Sequence, residues 1–320
     1  MQAEKGVTEA GEAAPPRSKK SVVVAIVLLV LGLTAALVGY FVANPVGISI
    51  ALARGGLEQA GLARREVAGP RGKLVYFAGK EGTPLVLIHG VGNQAGSWVK
   101  VAGDLSMSRK LIVPDLPGHG DSEPATGPLT LADAVAGLGA VLDAEKTGAD
   151  LILVGNSMGG WVALRYALQH PQRVARVVLV NSSGIAGDLG GVTLLPKNRE
   201  EALSLVRAIG LGDAPEPAGF VLDDLVEKIA AGPTARIVAG LTPSDFLESE
   251  LPGLNLPVDL LWGTDDRLLP LAYGQRLAAL MPRSRLRELP GCGHVPQQQN
   301  PRLFVQALRE VLAAAPPEPR

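Results

Sequence analysis

Leu151-Ile152-Leu153-Val154-Gly155-Asn156-Ser157-Met158-Gly159 joins an apolar run to a G-x-S-x-G turn, and helix-period residues Trp161, Leu164, Ala167 and Leu168 follow. A serine at this junction sits on a sharp strand-to-helix turn, with Gly155, Asn156 and Gly159 forming the elbow around it. Only glycines at the flanks avoid steric collision there. The unpaired N–H groups of the following helix favour a developing oxyanion beside the serine hydroxyl. The plainer alternative, a glycine-rich turn with an incidental serine, lacks a reason for the strand before it and the helix after it.

Working outward, short apolar runs at 73–77, 84–89, 111–114, 151–154, 177–181, 258–262 and 286–289 alternate with helix-period stretches at 131–147, 158–170, 271–281 and 301–315. Most runs are aliphatic on both faces, as strands covered by helices on both sides require. Alternating strand and helix predicts a mostly parallel sheet with right-handed crossovers and ligands at the carboxyl ends of the strands. The interval from about 185 to 255 shows no strand. Its helix-like runs at 200–209, 220–230 and 234–241 are too long together for a loop and predict a helical cap over the site.

Composition narrows the classes of function. The 320 residues carry a formal charge of -1, so no basic field points to nucleic acid. The single cysteine, Cys292, excludes an internal disulfide framework and a cysteine zinc site. The Asp115-Leu116-Pro117-Gly118-His119-Gly120-Asp121-Ser122 loop matches no metal-ligand spacing, and no metal or cofactor is expected. Nothing in the chain identifies a protein partner.

Residues 22–43 contain no charged side chain over 22 positions, enough for a helix at about 1.5 Å per residue to cross a bilayer. Arg17, Lys19 and Lys20 precede this span, whereas Arg54 alone follows within 15 positions. The charge asymmetry predicts a disordered cytoplasmic tail at 1–21, a membrane anchor at 22–43, and everything beyond on the extracytoplasmic side, periplasmic in a bacterium. The competing reading is a signal peptide and a secreted product, but its apolar core should be only about 7–15 residues. Residues 44–70 read as a juxtamembrane connector with one short helix through Leu52, Leu57 and Leu62, followed by a domain at 71–316.

A neutral serine needs a general base, most often a histidine held by a carboxylate. Of four histidines, His170 ends the serine's own helix, and His89 and His119 precede the serine in loops. His294, just past the last strand run, is the expected base; His89 more naturally braces its own loop by hydrogen bonding. Asp265 and Asp266 both follow the penultimate strand run, and alternation of side chains leaves the choice between them open. The glycine-rich bend His89-Gly90-Val91-Gly92 offers a Val91 N–H to pair with that of Met158 as an oxyanion hole.

Taken together, His89-Gly90, the 115–122 loop, Gly155-Asn156-Ser157-Met158-Gly159-Gly160, Trp262-Gly263-x-x-Asp266-x-x-x-Pro270 and Gly293-His294 resemble the α/β-hydrolase superfamily over roughly 70–315. The resemblance implies a mostly parallel eight-stranded sheet with flanking helices and a cap. It also implies Asp266 as the acid and supports Met158 and Val91 as oxyanion donors. With the N-terminal span, the chain looks like membrane-anchored monoacylglycerol-lipase-type hydrolases, and Asn181-Ser182-Ser183-Gly184 fits that group. The expected activity is serine-dependent cleavage of lipid-like carboxylic esters. Two alternatives stand beside it: a carbon–carbon bond hydrolase of aromatic ring-fission products, and a non-catalytic binding protein. The former group usually carries a Ser-Gly-Pro-Gly-type loop and a tryptophan after the base, where this sequence has Val91-Gly92-Asn93-Gln94 and Val295. Epoxide hydrolases and haloalkane dehalogenases use an aspartate in place of Ser157.

Overall fold

The computed structural model describes residues 28, 30–34, 39–187, 190–210 and 215–319. Contacts divide the chain into two units, Met1–Asn44 and Pro45–Arg320. The tail at 1–21, and residues 22–27, 29 and 35–38 of the apolar span, lie outside the described residues; 28, 30–34 and 39–43 are helical and exposed. Among the described residues no single helix is long and apolar enough to cross a membrane.

The second unit begins with α1 (Pro45–Gln59) and is built on one eight-stranded sheet. Its strands are β1 (Ala63–Gly69), β2 (Gly72–Gly79), β3 (Pro84–Ile88), β4 (Lys110–Pro114), β5 (Leu151–Asn156), β6 (Val174–Val180), β7 (Val258–Gly263) and β8 (Ser284–Leu289), in the order β1-β2-β4-β3-β5-β6-β7-β8. β3 to β8 run parallel, while β1 and β2 add an antiparallel edge. Helices α2 (Val99–Ser106), α3 (Leu131–Ala144), α4 (Met158–Gln169), α8 (Leu271–Ala279), α9 (Pro296–Gln299) and α10 (Pro301–Ala313) accompany it.

Strand alternation explains why the central runs are apolar throughout. Val86, Ile88, Leu151, Leu153, Val177 and Leu179 enter one core with α3 and α4. Their neighbours Leu85, Leu87, Ile152, Val154, Val178 and Val180 enter a second core with α2 and α10. Both faces are therefore dry, and truncating one such leucine to alanine costs about 2–5 kcal/mol.

The structure corrects the connector at 44–70. Residues 45–59 form α1, residues 63–69 pair along their whole length with β2, and Leu57 and Leu62 are buried in the second core. The domain therefore starts at Pro45 rather than residue 71. β1 escapes notice in the sequence because Arg64, Arg65 and Glu66 sit on an edge strand with exposed side chains, where charge guards an unpaired edge and no apolar alternation develops.

The interval between β6 and β7, called the cap below, is helical. It contains α5 (Arg199–Ala208), α6 (Gly219–Ala231) and α7 (Pro233–Gly240). Asn198 caps α5 through the Glu201 N–H, and Pro233 starts α7 at a position that tolerates its missing N–H.

Candidate active site

β5 delivers Ser157 to the start of α4 in a left-handed, strained conformation, φ 55° and ψ −124°. Such a geometry costs roughly 1–3 kcal/mol and persists only where the surroundings impose it. Here the Ser157 N–H is held by the Val180 carbonyl at 3.0 Å, and a side chain at Gly159 would come within 2.6 Å of the His89 carbonyl oxygen. Close approach of β3 to the first turn of α4 thus requires glycine there. The loop after β3 presses against the serine in the same way, since a Cβ on Gly90 would lie 3.0 Å from that of Ser157. Met158 is the first residue of α4, so its N–H belongs to the turn without intrahelical acceptors.

His294 follows β8 and is buried, and its Nδ1 lies 2.8 Å from Asp266 Oδ2. With Nδ1 bound to a carboxylate, Nε2 is the ring nitrogen left to exchange a proton. Asp266 is fixed on every side. Its Oδ2 also accepts from Asn181 Nδ2 at 2.7 Å, and Oδ1 takes the N–H groups of Leu268 and Leu269, each at 2.9 Å. Asp265 instead is turned to the surface and binds the Thr264 hydroxyl at 2.8 Å. The geometry therefore separates the two aspartates that strand alternation alone left open.

The other histidines have different work. His89 Nε2 accepts from the Leu116 N–H at 3.0 Å and its Nδ1 donates to the Gly90 carbonyl at 2.8 Å, so the ring braces the loop as expected. Burial pushes its pKa down to about 4, and that of the neighbouring His119 down to about 3. Neither is built to carry a proton. Asp115 holds the Ala95 and Asp121 N–H groups and an Arg54 guanidinium at 2.9 Å; burial, its largest influence, raises its pKa. That loop is a structural clasp onto α1. Among the described residues no cluster of three or more His, Cys, Asp or Glu is placed to hold a metal ion.

Ser157, His294, Met158 and Val91 open onto one cavity of about 500 Å³. Its walls are overwhelmingly aliphatic and aromatic, and none of the described lining residues is Lys, Arg, Asp or Glu. Trp161 stacks on Phe246 with ring centroids 5.1 Å apart, and Trp161 Nε1 donates to the Asp245 carbonyl at 3.0 Å. Tyr273 is equally committed: its oxygen accepts the Ile185 N–H at 3.0 Å and donates to the Ile185 carbonyl at 2.6 Å, while burial pushes the phenol up to about 12.

A family model described as the alpha/beta hydrolase family matches residues 85–307. The chain belongs to that family.

Among relatives of this alpha/beta hydrolase, an uncharacterized protein of Mycobacterium tuberculosis is 30% identical over 269 residues, covering 74% of this chain and 77% of the relative. The 2-hydroxy-6-oxo-2,4-heptadienoate hydrolase of Pseudomonas putida is 30% identical over 254 residues, covering 73% and 90%. Among solved structures, a membrane phospholipase A described as a bacterial virulence factor superposes with a TM-score of 0.75 at 27% identity, covering 92% of this chain and 98% of that one. The relatives thus include both ester-type and carbon–carbon hydrolases.

Two sets of site residues escape a reading of the sequence. Asn181, with φ 44°, donates to Asp266 and accepts the Gly263 N–H at 3.1 Å, stitching the end of β6 to the end of β7 beneath the acid. An asparagine closing the 177–181 run, a residue type that tolerates positive φ, is the signal in the sequence. Val46 and Ile50 of α1 line the cavity. Their spacing of four places both on one helix face, but only packing reveals what that face covers.

Proposed function

We propose that this alpha/beta hydrolase is a serine hydrolase of carboxylic esters with an apolar, lipid-like acyl chain. The observation that carries the reading is an uncharged apolar cavity opening onto Ser157 and His294. Ser157 Oγ attacks the acyl carbonyl carbon while His294 Nε2 takes its proton. Asp266 keeps Nδ1 protonated and stabilises the imidazolium. The Met158 and Val91 N–H groups receive the carbonyl oxygen as it becomes an oxyanion. Collapse of the tetrahedral intermediate breaks the ester C–O bond, and His294 returns its proton to the leaving alkoxide. Water, deprotonated by the same imidazole, then releases the acid and regenerates Ser157.

Likeness to the 2-hydroxy-6-oxo-2,4-heptadienoate hydrolase favours a second reading, cleavage of a carbon–carbon bond. Such a substrate is a carboxylate, and burying it without a cation or a full set of donors is costly. The described cavity wall offers no Lys or Arg, which favours the neutral ester. Full-length protein in detergent, offered p-nitrophenyl butyrate and a vinylogous diketone acid side by side, tests the choice. Turnover of the ester abolished by Ser157→Ala is the expected result; preference for the diketone acid would reverse it, and no Ser157-dependent turnover of either would leave a binding protein.

We also propose that residues 22–43 anchor the chain with its hydrolase unit on the extracytoplasmic side; their length and composition support this, as does the likeness to a membrane phospholipase A over 92% of the chain. Alkaline phosphatase fused after residue 320 should be active in a bacterial host, and an inactive fusion would refute the orientation.

A further inference from the structure

The backbone of His294 is held at both its carbonyl and its N–H. On the sheet side its carbonyl accepts from Asn156 Nδ2 at 2.9 Å, and Asn156 is steadied in turn by Gln297 Nε2 at 3.1 Å and by the Val180 carbonyl at 3.0 Å. On the cap side the His294 N–H donates to the carbonyl of Ile209, the residue that closes α5, at 3.2 Å. Gln299 doubles that second link. Its Oε1 accepts the Gly293 N–H at 2.8 Å, and its Nε2 donates to the Gly210 carbonyl.

The two backbones meet at glycines, with the Gln299 amide packed beside both. A Cβ on Gly210 would sit 3.0 Å from the Gly293 Cα, and one on Gly293 would sit 2.9 Å from the Gly210 Cα. Gly210 is also at φ 85°, where other residues are strained. Ile209 itself lines the cavity, as do Leu205 and Val206. One residue therefore both lines the cavity and gives its carbonyl to the loop of the histidine.

We infer that Gln299 is a positioning residue: through Gly210 and Gly293 it makes the cap, and not the sheet alone, set where the His294 imidazole stands. The inference rests on His294 acting as the base. A proton-transfer geometry tolerates little displacement, and a shift of about 1 Å costs on the order of 10²-fold. Gln299 faces the loop rather than the cavity-lining set, so its loss should act on turnover and not on substrate capture.

The test compares wild type, Gln299→Met, Gln299→Glu, His294→Ala and Ser157→Ala as full-length protein, with p-nitrophenyl butyrate and octanoate. Methionine removes both hydrogen bonds at similar volume, while glutamate keeps the acceptor for the Gly293 N–H and serves as the second variant if methionine fails to fold. Gln299→Met should lower kcat roughly 10- to 100-fold on both esters with KM nearly unchanged, and should displace the acid limb of the kcat/KM pH profile. Gln299→Glu should fall between it and wild type. A kcat unchanged in both variants, or a loss confined to KM or to thermal stability, overturns the inference while leaving the catalytic reading intact. Activity surviving in Ser157→Ala and His294→Ala would instead overturn the catalytic reading.

Discussion

The two walls of the cavity are made in different ways. Behind the sheet wall, Asp266 alone takes four hydrogen bonds, and Ser157 on it is held in a strained conformation. The cap wall is mostly aliphatic, and among the described residues α5 and α6 share a small core of Ala202, Val206 and Leu222 with partly buried neighbours. Directional chemistry needs every polar group fixed from several sides, whereas holding an acyl chain needs only apolar area. Substitutions on the sheet wall should therefore act on kcat, and substitutions on the cap wall on KM.

The largest effect should come from Ser157→Ala, which removes the proposed nucleophile and should lower kcat on p-nitrophenyl butyrate by roughly 10⁴- to 10⁶-fold. Residual turnover within tenfold of wild type would break the division at once. Asp266→Asn should cost roughly 10⁴-fold in kcat by favouring the wrong imidazole tautomer, with the acyl-chain preference unchanged. A changed chain preference would show that the two walls are not separable.

Acid stability sharpens the comparison differently. His89 and His119 are buried neutral on the sheet side, with pKa values near 4 and 3 against an ordinary 6.5. Their folded values are depressed, so the unfolded chain binds protons first as pH falls. Stability from this source is complete above about pH 6.5 and is lost progressively toward pH 4, on the order of 3 kcal/mol for His89 alone. Denaturant titrations at stepped pH should show that fall, and His119→Asn should flatten it. An unchanged slope in the variant would assign the acid sensitivity elsewhere.

Asn181→Ala leaves the Gly263 N–H without its acceptor and Asp266 without one donor. A loss of about 1–3 kcal/mol in stability, with kcat down about tenfold, is expected from calorimetry and kinetics. The smallest effect belongs to the cap. Leu205→Ala should raise KM for the octanoate ester several-fold, corresponding to about 1–2 kcal/mol, while kcat on butyrate stays unchanged. A kcat effect on butyrate would place Leu205 with the machinery rather than the wall.

The same contrast explains what could be read from the chain alone. The elbow at Ser157 was legible because glycines, an apolar run and a helix period must coincide there for steric reasons. His294 followed by elimination among four histidines. The cap helices were legible as helices, but which faces meet the cavity depends on packing against residues far away in sequence. Asp266 needed more than alternation because the chain leaves β7 as a turn at Gly263, where strand parity no longer holds. β1 was hidden by its charges, whereas the short helix read through Leu52 and Leu57 is α1, and only its packing into the domain could not be read.

Helix α1 sets a limit on how the protein can be cut. Val46 and Ile50 form cavity wall, Arg54 clasps Asp115, and Leu57 is buried in the core. Loss of residues 45–69 would open the pocket and strip the sheet of an edge. For the same reason, in domain shuffling or fusion design, the joint that leaves the hydrolase unit whole falls between Asn44 and Pro45.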